Sequence, residues 1–129
     1  MEKNHFLLIA SLSGMLAVAL GAFGAHGLEK LVDAKMLQRF YTGVEYQFYH
    51  TLALLMISIL NNFIKNKYVS YAGYAFLLGI LLFSGSLYLY VLTGIKGFAL
   101  VTPLGGLSFI VGWGLLAFSV KNSAYSEKT

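Results

Sequence analysis

The sequence predicts an all-α integral membrane protein built as an antiparallel bundle of four transmembrane helices. Hydrophobic residues make up 58% of the 129 residues and charged residues only 11%, whereas a soluble domain carries about a quarter charged residues. A soluble chain of this length buries only about two thirds of its surface on folding, so it would leave large apolar patches in water. We therefore expect a bilayer to cover the apolar surface.

Charge-free runs of the right length give the positions of the spans. Three runs are long enough to cross a hydrocarbon core of about 30 Å at about 1.5 Å per residue, and they are residues 6–25, 69–92 and 98–120. A fourth run, residues 51–64, reaches this length only when it is extended back to Gly43. That extension brings Glu45 and His50 into the membrane or its interface.

The chain is thus predicted to be one membrane domain with both termini on the same side. The predicted spans are residues 5–26, 43–64, 69–92 and 98–120, followed by a frayed tail at residues 121–129. We expect the first span to be retained, because its apolar run is longer than the h-region of about 7–15 residues in a secretory signal.

Positive charges predict the orientation and the partners. Five of them flank the termini and the second loop, namely Lys3, Lys65, Lys67, Lys121 and Lys128, and four lie on the opposite side, namely Lys30, Lys35, Arg39 and Lys96. This difference favours a plasma-membrane protein with its termini in the cytoplasm. Because the charges are scattered, they suit membrane lipid as a partner and do not suggest nucleic acid.

A short interfacial helix is predicted between the first and second spans. Apolar residues recur there at loosely helical spacing, and Asp33 is placed to cap a helix over residues 34–41. Such a helix would lie at the membrane surface. An irregular polar loop is the alternative.

Small residues are predicted to bring the helices together, because helices in lipid associate by close packing rather than by a hydrophobic drive. Those singled out for helix packing are Gly14, Gly21, Gly24, Ala25, Gly79, Gly105, Gly106 and Gly112. They either serve contacts within the bundle or form a subunit interface, so a homo-oligomer is one expected arrangement. Pro103 is tolerated because it lies in the first turns of the last span.

Ionisable and polar residues form one candidate site. Glu45, Tyr46, Tyr49 and His50 fall within an arc of roughly 140° on one helix, and His26 lies at a similar depth if the first two spans are antiparallel. The full candidate set is His26, Glu45, Tyr46, Gln47, Tyr49, His50, Ser84, Ser86 and Thr102. Ionisable residues inside a membrane are functional candidates by default.

Structural roles compete with that interpretation. His26 followed by Gly27 is typical of a helix end with a left-handed glycine cap, and Glu45 has Arg39 or Lys35 as an alternative partner. Gln47 and His50 are also able to cross-link helices by hydrogen bonds. The tyrosines fit an interfacial aromatic belt, and they are Tyr46, Tyr49, Tyr68, Tyr88 and Tyr90.

The composition and motifs argue against several classes of chemistry. The chain has no cysteine, which removes disulfides, thiolate metal sites and thiol nucleophiles. His26 and His50 lack a third obvious ligand, so no metal or haem site is predicted. The sequence has no phosphate-binding loop, serine elbow or paired intramembrane aspartates. We therefore expect neither an enzyme nor a cofactor.

Four motifs carry a family resemblance across nearly the whole chain. In order they are "LGAFGAHGL", "TGVEYQFYHTLALL", "GILLFSGSLYLYVLTG" and "TPLGGLSFIVGWGLLAF". The sequence resembles the small bacterial membrane family called domain of unknown function 423, which is similar to the eukaryotic transmembrane protein 256. The resemblance implies a four-span plasma-membrane protein and no established activity. Its hallmark residues here include His26, Glu45, Gln47, His50, Ser84, Pro103 and Trp113.

Three functional hypotheses follow. The leading one is a non-enzymatic membrane protein that acts through helix packing with itself, with lipid or with a partner protein. The second is a small proton-linked carrier or channel in which Glu45 works with His26 and His50. The third is a ligand-binding membrane sensor, which would need a cavity beside the polar cluster.

Overall fold

Five α-helices account for most of the residues that the structure, a computed structural model, describes. The structure describes residues 2–128, and it describes side chains for residues 5–121. The helices are α1 (Glu2–His26), α2 (Ala34–Leu60), α3 (Lys67–Gly79), α4 (Gly85–Thr93) and α5 (Thr102–Lys128). Within residues 2–128 there is no β-strand, so the all-α prediction is confirmed for this part of the chain.

Short helical turns join these helices. A π-helical turn at Ile80–Ser84 runs directly from α3 into α4, so residues 67–93 form one continuous rod. Single 3₁₀ turns at Leu28–Lys30 and Lys96–Leu100 lead into the connections before α2 and α5. The helix α5 continues past residue 120 into the segment predicted as a tail.

Local capping residues explain where the helices begin and end. The Asp33 side chain accepts a hydrogen bond of 2.8 Å from the backbone N of Met36, which confirms the predicted cap. Asn66 caps α3 in the same way. The predicted left-handed cap at Gly27 is wrong, because this residue has φ −126°. Instead, Gly94 takes the left-handed conformation, with φ 73°, and ends α4.

The separate interfacial helix predicted over residues 34–41 is not present, because this segment forms the first turns of α2. No residue breaks the helix after Tyr41. The Thr42 hydroxyl donates a hydrogen bond to the carbonyl of Gln38 at 3.0 Å. Gly43 is buried, and a Cβ added to it would lie 2.8 Å from the Tyr88 ring. Tertiary packing therefore holds Gly43 in the helix despite its low helical propensity.

In the described part of the chain, three helical segments are long and apolar enough to cross a membrane. They are His5–Lys30, Lys67–Thr93 and Lys96–Lys121. The remaining long helix, α2, is not among them, because Glu45, Gln47 and His50 make its sequence more polar.

Helices α1 and α2 pack antiparallel through small residues. A Cβ added to Gly14 would lie 3.5 Å from Thr51, and one added to Gly21 would lie 3.6 Å from Val44. At Gly24 the added Cβ would lie 2.8 Å from the Tyr41 ring. The contacts fix the register of the two helices over about three turns. Ala25 is exposed and takes no part in packing within this chain.

Helix α5 packs along α3 and the π turn through its glycines. A Cβ at Gly112 would lie 2.6 Å from the Phe76 ring, and one at Gly105 would lie 2.6 Å from the Cα of Phe83. In turn, Phe109 packs over Gly79 of α3. Gly106 is looser, with the nearest Phe83 atom at 3.8 Å. These close approaches bring the side chains of α5 onto the polar residues of α2.

Candidate functional site

His50 is buried in an aromatic site between α2, α3 and α5. Its ring stacks on Phe109 with centroids 3.6 Å apart and an interplanar angle of 8°. Phe76 lies against it at 5.5 Å and Trp113 at 5.9 Å. The ring is only 5% exposed, so bulk water has little access to it.

Both ring nitrogens of His50 have hydrogen-bond partners. Nδ1 lies 2.8 Å from the carbonyl oxygen of Tyr46, and the indole Nε1 of Trp113 donates to Nε2 at 3.1 Å. A carbonyl only accepts and an indole N–H only donates. The network therefore assigns a neutral imidazole that carries its proton on Nδ1 and accepts on Nε2. In this arrangement the ring serves as a cross-link between α2 and α5.

Gln47 forms a second buried network, which joins three helices. Its Nε2 donates to the backbone carbonyl of Ser13 at 2.9 Å and contacts the Ser13 hydroxyl at 3.2 Å. Its Oε1 accepts a hydrogen bond of 2.6 Å from the hydroxyl of Tyr88. Ser13 and Thr51 complete the network at 2.7 Å. Gln47 thus ties α2 to α1 and to α4, and the half-buried Tyr88 serves a contact between helices.

The hydroxyls predicted near the site also serve helix contacts. Ser84, in the π turn, is fully buried and donates to the Gly43 carbonyl at 2.6 Å. Ser86 and Thr102 are hydrogen-bonded at 2.6 Å and join α4 to the start of α5. These three residues hold the rod against its neighbours and make no contact with His50.

Glu45 does not join the buried network. Its side chain is exposed, and among the described residues it has no hydrogen bond or ion pair. Neither predicted cation pairs with it, because Arg39 instead lies over the Tyr90 ring at 5.4 Å and donates to the Met36 sulfur. The neighbouring Tyr46 and Tyr49 are 38% and 54% exposed, with their rings 5.7 Å apart.

His26 is exposed at the last residue of α1. In the described part of the chain it makes no hydrogen bond or ring contact with Glu45 or His50. The predicted three-residue ionisable cluster is therefore not assembled in this chain, since each of these side chains occupies a different environment. No group of three metal-ligating side chains lies together among the described residues.

The surface has shallow apolar clefts. One of about 350 Å³ lies between α1 and the α3–α4 rod, and Gln47, Ser13 and Tyr88 contribute to its lining. Since these three polar groups already bond to one another, the cleft presents mainly apolar surface. It does not lie beside a free ionisable group.

Sequence reasoning missed the partners that complete the two networks. Trp113 is the only tryptophan of the chain, and it was noted only as a family hallmark. Its indole donor in an apolar helix was the signal that a buried acceptor lies on a neighbouring helix. Ser13 and Thr51 gave weaker signals, because hydroxyls in membrane helices often bond within their own helix.

Comparisons with known proteins place the chain in a family. Residues 20–106 match the family described as "Protein of unknown function (DUF423)". The chain belongs to the DUF423 family.

Relatives of this DUF423 protein are named as membrane proteins in several bacteria. It is 44% identical to the UPF0382 membrane protein of Haemophilus influenzae, over 90% of this chain and 93% of that protein. It is 44% identical to the UPF0382 membrane protein YwdK of Bacillus subtilis, over 84% and 89%. It is 41% identical to the UPF0382 inner membrane protein YgdD of Escherichia coli K12, over 90% and 88%. No solved structure is significantly similar to it.

Proposed function

We propose that this DUF423 protein is a non-enzymatic, four-span protein of the plasma membrane that acts by presenting helix surfaces to other membrane components. The observation that carries the proposal is the use of its interior polar groups. Among residues 5–121, whose side chains the structure describes, eight polar side chains are buried, and they are Gln47, His50, Thr51, Ser58, Ser70, Ser84, Ser86 and Ser119. Each of them engages a partner within the chain.

A protein that moves a polar substrate needs polar groups that are open to that substrate along a path. In the described part of this chain Gln47, His50, Thr51, Ser84 and Ser86 instead bond to other helical segments, which satisfies them in lipid. Ser119 bonds within α5, and the Nδ2 of Asn61 is buried without a hydrogen-bond partner among the described residues. The carrier hypothesis needs Glu45, His26 and His50 to act together, and their separate environments give it no support. Binding through the outer helix faces is the activity that these features favour.

The four-span arrangement treats α2 as a membrane helix although it is the most polar of the long helices. Its 27 residues give a length of about 40 Å, which exceeds the hydrocarbon thickness. Its packing against α1 and its bonds to Ser13 and Tyr88 offset the cost of its polar side chains in lipid. The excess of positive residues beside the termini supports cytoplasmic termini.

Single-cysteine labelling tests the span count cleanly, because the natural chain has no cysteine. The variants Leu31→Cys, Phe63→Cys and Leu100→Cys place a thiol in each connection, at side chains that are 75%, 77% and 79% exposed. We expect an impermeant maleimide to label Leu31→Cys and Leu100→Cys from one side of the membrane and Phe63→Cys from the other. Labelling of Leu31→Cys and Phe63→Cys from the same side would show that α2 does not span.

Reconstitution into liposomes tests the functional class. We expect no ion or proton flux above that of empty liposomes when a pH gradient is imposed. A flux that the wild-type protein shows and the Glu45→Gln variant lacks would overturn the proposal in favour of a carrier. Glu45→Gln is a suitable probe because it keeps the size and the acceptor oxygen but cannot titrate.

A further inference from the structure

A line of exposed residues runs along the whole membrane face of α2. Its members follow one another at alternating steps of four and three residues, and they are Gln38, Thr42, Glu45, Tyr49, Leu52, Met56 and Ile59. All are exposed except Thr42, which is half-buried. We call this set the α2 seam. This spacing is the pattern by which one helix packs lengthwise against another.

The register of α1 and α2 places Glu45 inside the charge-free run of α1, between its end and its midpoint. Val44 lies against Gly21, which is four residues before the end of the charge-free run at residues 6–25. At about 1.5 Å per residue, Glu45 therefore lies about 7 Å inside the end of that run and a similar distance from its midpoint. In the proposed four-span arrangement this carboxyl faces acyl chains rather than water.

Three polar groups on this surface lack a hydrogen-bond partner among the described residues. They are the Glu45 carboxyl and the hydroxyls of Tyr46 and Tyr49. An unsatisfied polar group in hydrocarbon costs several kcal/mol. A partner outside the chain would remove that cost, and it must supply both donors and acceptors within about one helical turn of this depth.

The α2 seam itself carries both a hydrogen-bond acceptor and a hydrogen-bond donor. Glu45 provides an acceptor and Tyr49, one helical turn away, provides a donor. Copies of one chain inserted in the same orientation place these residues at identical depths, and a two-fold axis along the membrane normal preserves that depth in both. A second copy therefore brings a donor to each carboxyl and an acceptor to each phenol.

We propose that a second copy of this chain packs along the α2 seam about such a two-fold axis, with Glu45 of each copy accepting a hydrogen bond from Tyr49 of the other. The inference rests on the proposed function, since it names the component to which the helix surface binds. The apolar residues Leu52, Met56 and Ile59 continue the contact across the membrane.

Disulfide cross-linking in membranes tests the seam. We expect Leu52→Cys to form a covalent dimer under mild oxidation. The controls are Leu12→Cys on α1 and Ile110→Cys on α5. The side chains of Leu12 and Ile110 are 52% and 69% exposed, so they are at least as accessible as that of Leu52, which is 48% exposed. The helix registers place all three side chains near the same depth. Cross-linking of Leu52→Cys at no more than the control level overturns the proposal.

Substitutions at the polar pair test its chemistry. Dimer dissociation in liposomes is followed by energy transfer between labelled copies as the protein is diluted in lipid. Two interhelical bonds of average strength correspond to a roughly sevenfold weaker dimer for Glu45→Leu and likewise for Tyr49→Phe. The double variant should be little weaker than either single one, because the same bonds are removed. Glu45→Gln, which keeps an acceptor, should stay close to wild type.

Fully additive losses, or a dimer unaffected by Glu45→Leu, by Tyr49→Phe and by their combination, would overturn the assigned pair. A protein that stays monomeric at every dilution would show that lipid or another protein covers the seam. Neither result bears on span labelling or liposome flux, so the proposed function fails only through those separate measurements. Because Glu45 and Tyr49 lie away from the interior, unchanged emission from Trp113, which donates a hydrogen bond to the buried His50, serves as the folding control.

Discussion

At the scale of single residues, the polar side chains of α2 divide according to the direction in which they point. His50 and Gln47 point inward and form complete hydrogen bonds with other helices. Glu45 and Tyr49 point outward and find no such partner among the described residues. The same short segment therefore supplies both cross-links of the bundle and a polar patch on its outer surface.

The substitution Trp113→Phe should lower the free energy of unfolding by about 0.5–1.5 kcal/mol. It removes the indole donor and leaves Nε2 of the buried His50 without a partner, while an aromatic ring still fills the space. Unfolding by sodium dodecyl sulfate in mixed micelles, followed by circular dichroism, measures the loss. In a His50→Phe background the same substitution should cost clearly less. An equal cost in both backgrounds would exclude the hydrogen bond as its cause.

Sequence reasoning predicted part of the site at this scale. It identified Gln47 and His50 as candidate cross-links, because polar groups inside a membrane need partners. It could not determine that His50 meets Trp113 rather than Glu45 and His26. Helical spacing fixes the angle of a side chain on its own helix, but the neighbouring helix that it meets depends on how the helices are rotated against one another.

At the scale of the helical elements, the π turn brings α5 unusually close to the rod. Gly105 lies against the backbone of Phe83, and the space between these two backbone segments admits only a hydrogen atom as side chain. The wider π turn also places Ser84 on the carbonyl of Gly43. The contact between α5 and α2 at His50 depends on this close approach.

We expect Gly105→Ala to lower the free energy of unfolding by about 1–3 kcal/mol, since its methyl group would push backbone against backbone. Gly106→Ala and Gly114→Ala are matched controls on the same helix. An added Cβ lies 3.8 Å from its nearest neighbour at Gly106 and meets nothing within 4 Å at Gly114. Both should be neutral or slightly stabilising because alanine favours helix. Equal losses for all three variants would contradict the close contact.

The helices themselves were largely predictable, whereas their joints were not. Charge-free runs locate the apolar segments well because the bilayer sets their length. The helix start at Ala34 and its Asp33 cap were predicted, but the continuity of this helix with the second span was missed. Nothing in the sequence shows that Tyr88 will pack over Gly43 and keep the helix continuous. The π turn was also missed, because residues 80–84 have the same apolar character as the regular helix around them.

At the scale of the whole molecule, the proposed orientation rests on a narrow difference of five positive residues against four. The double variant Lys65→Gln with Lys67→Gln leaves three positive residues on the side of the termini and four on the opposite side. We therefore expect it to insert partly or wholly inverted. A carboxyl-terminal reporter whose signal differs between cytoplasm and periplasm measures the distribution. The control Lys30→Gln with Lys35→Gln should keep the original orientation, and inversion of this control would refute the assignment of sides.

The polarity of α2 also has a consequence for biogenesis. During synthesis α1 leaves the ribosome first, and α2 follows with Glu45, Gln47 and His50, which make its solitary transfer into lipid costly. Gln47 finds the carbonyl of Ser13 on α1, so the two helices satisfy each other when they enter together. Lateral release from the translocon should therefore occur as a hairpin, with α1 acting as an intramolecular chaperone for the helix behind it.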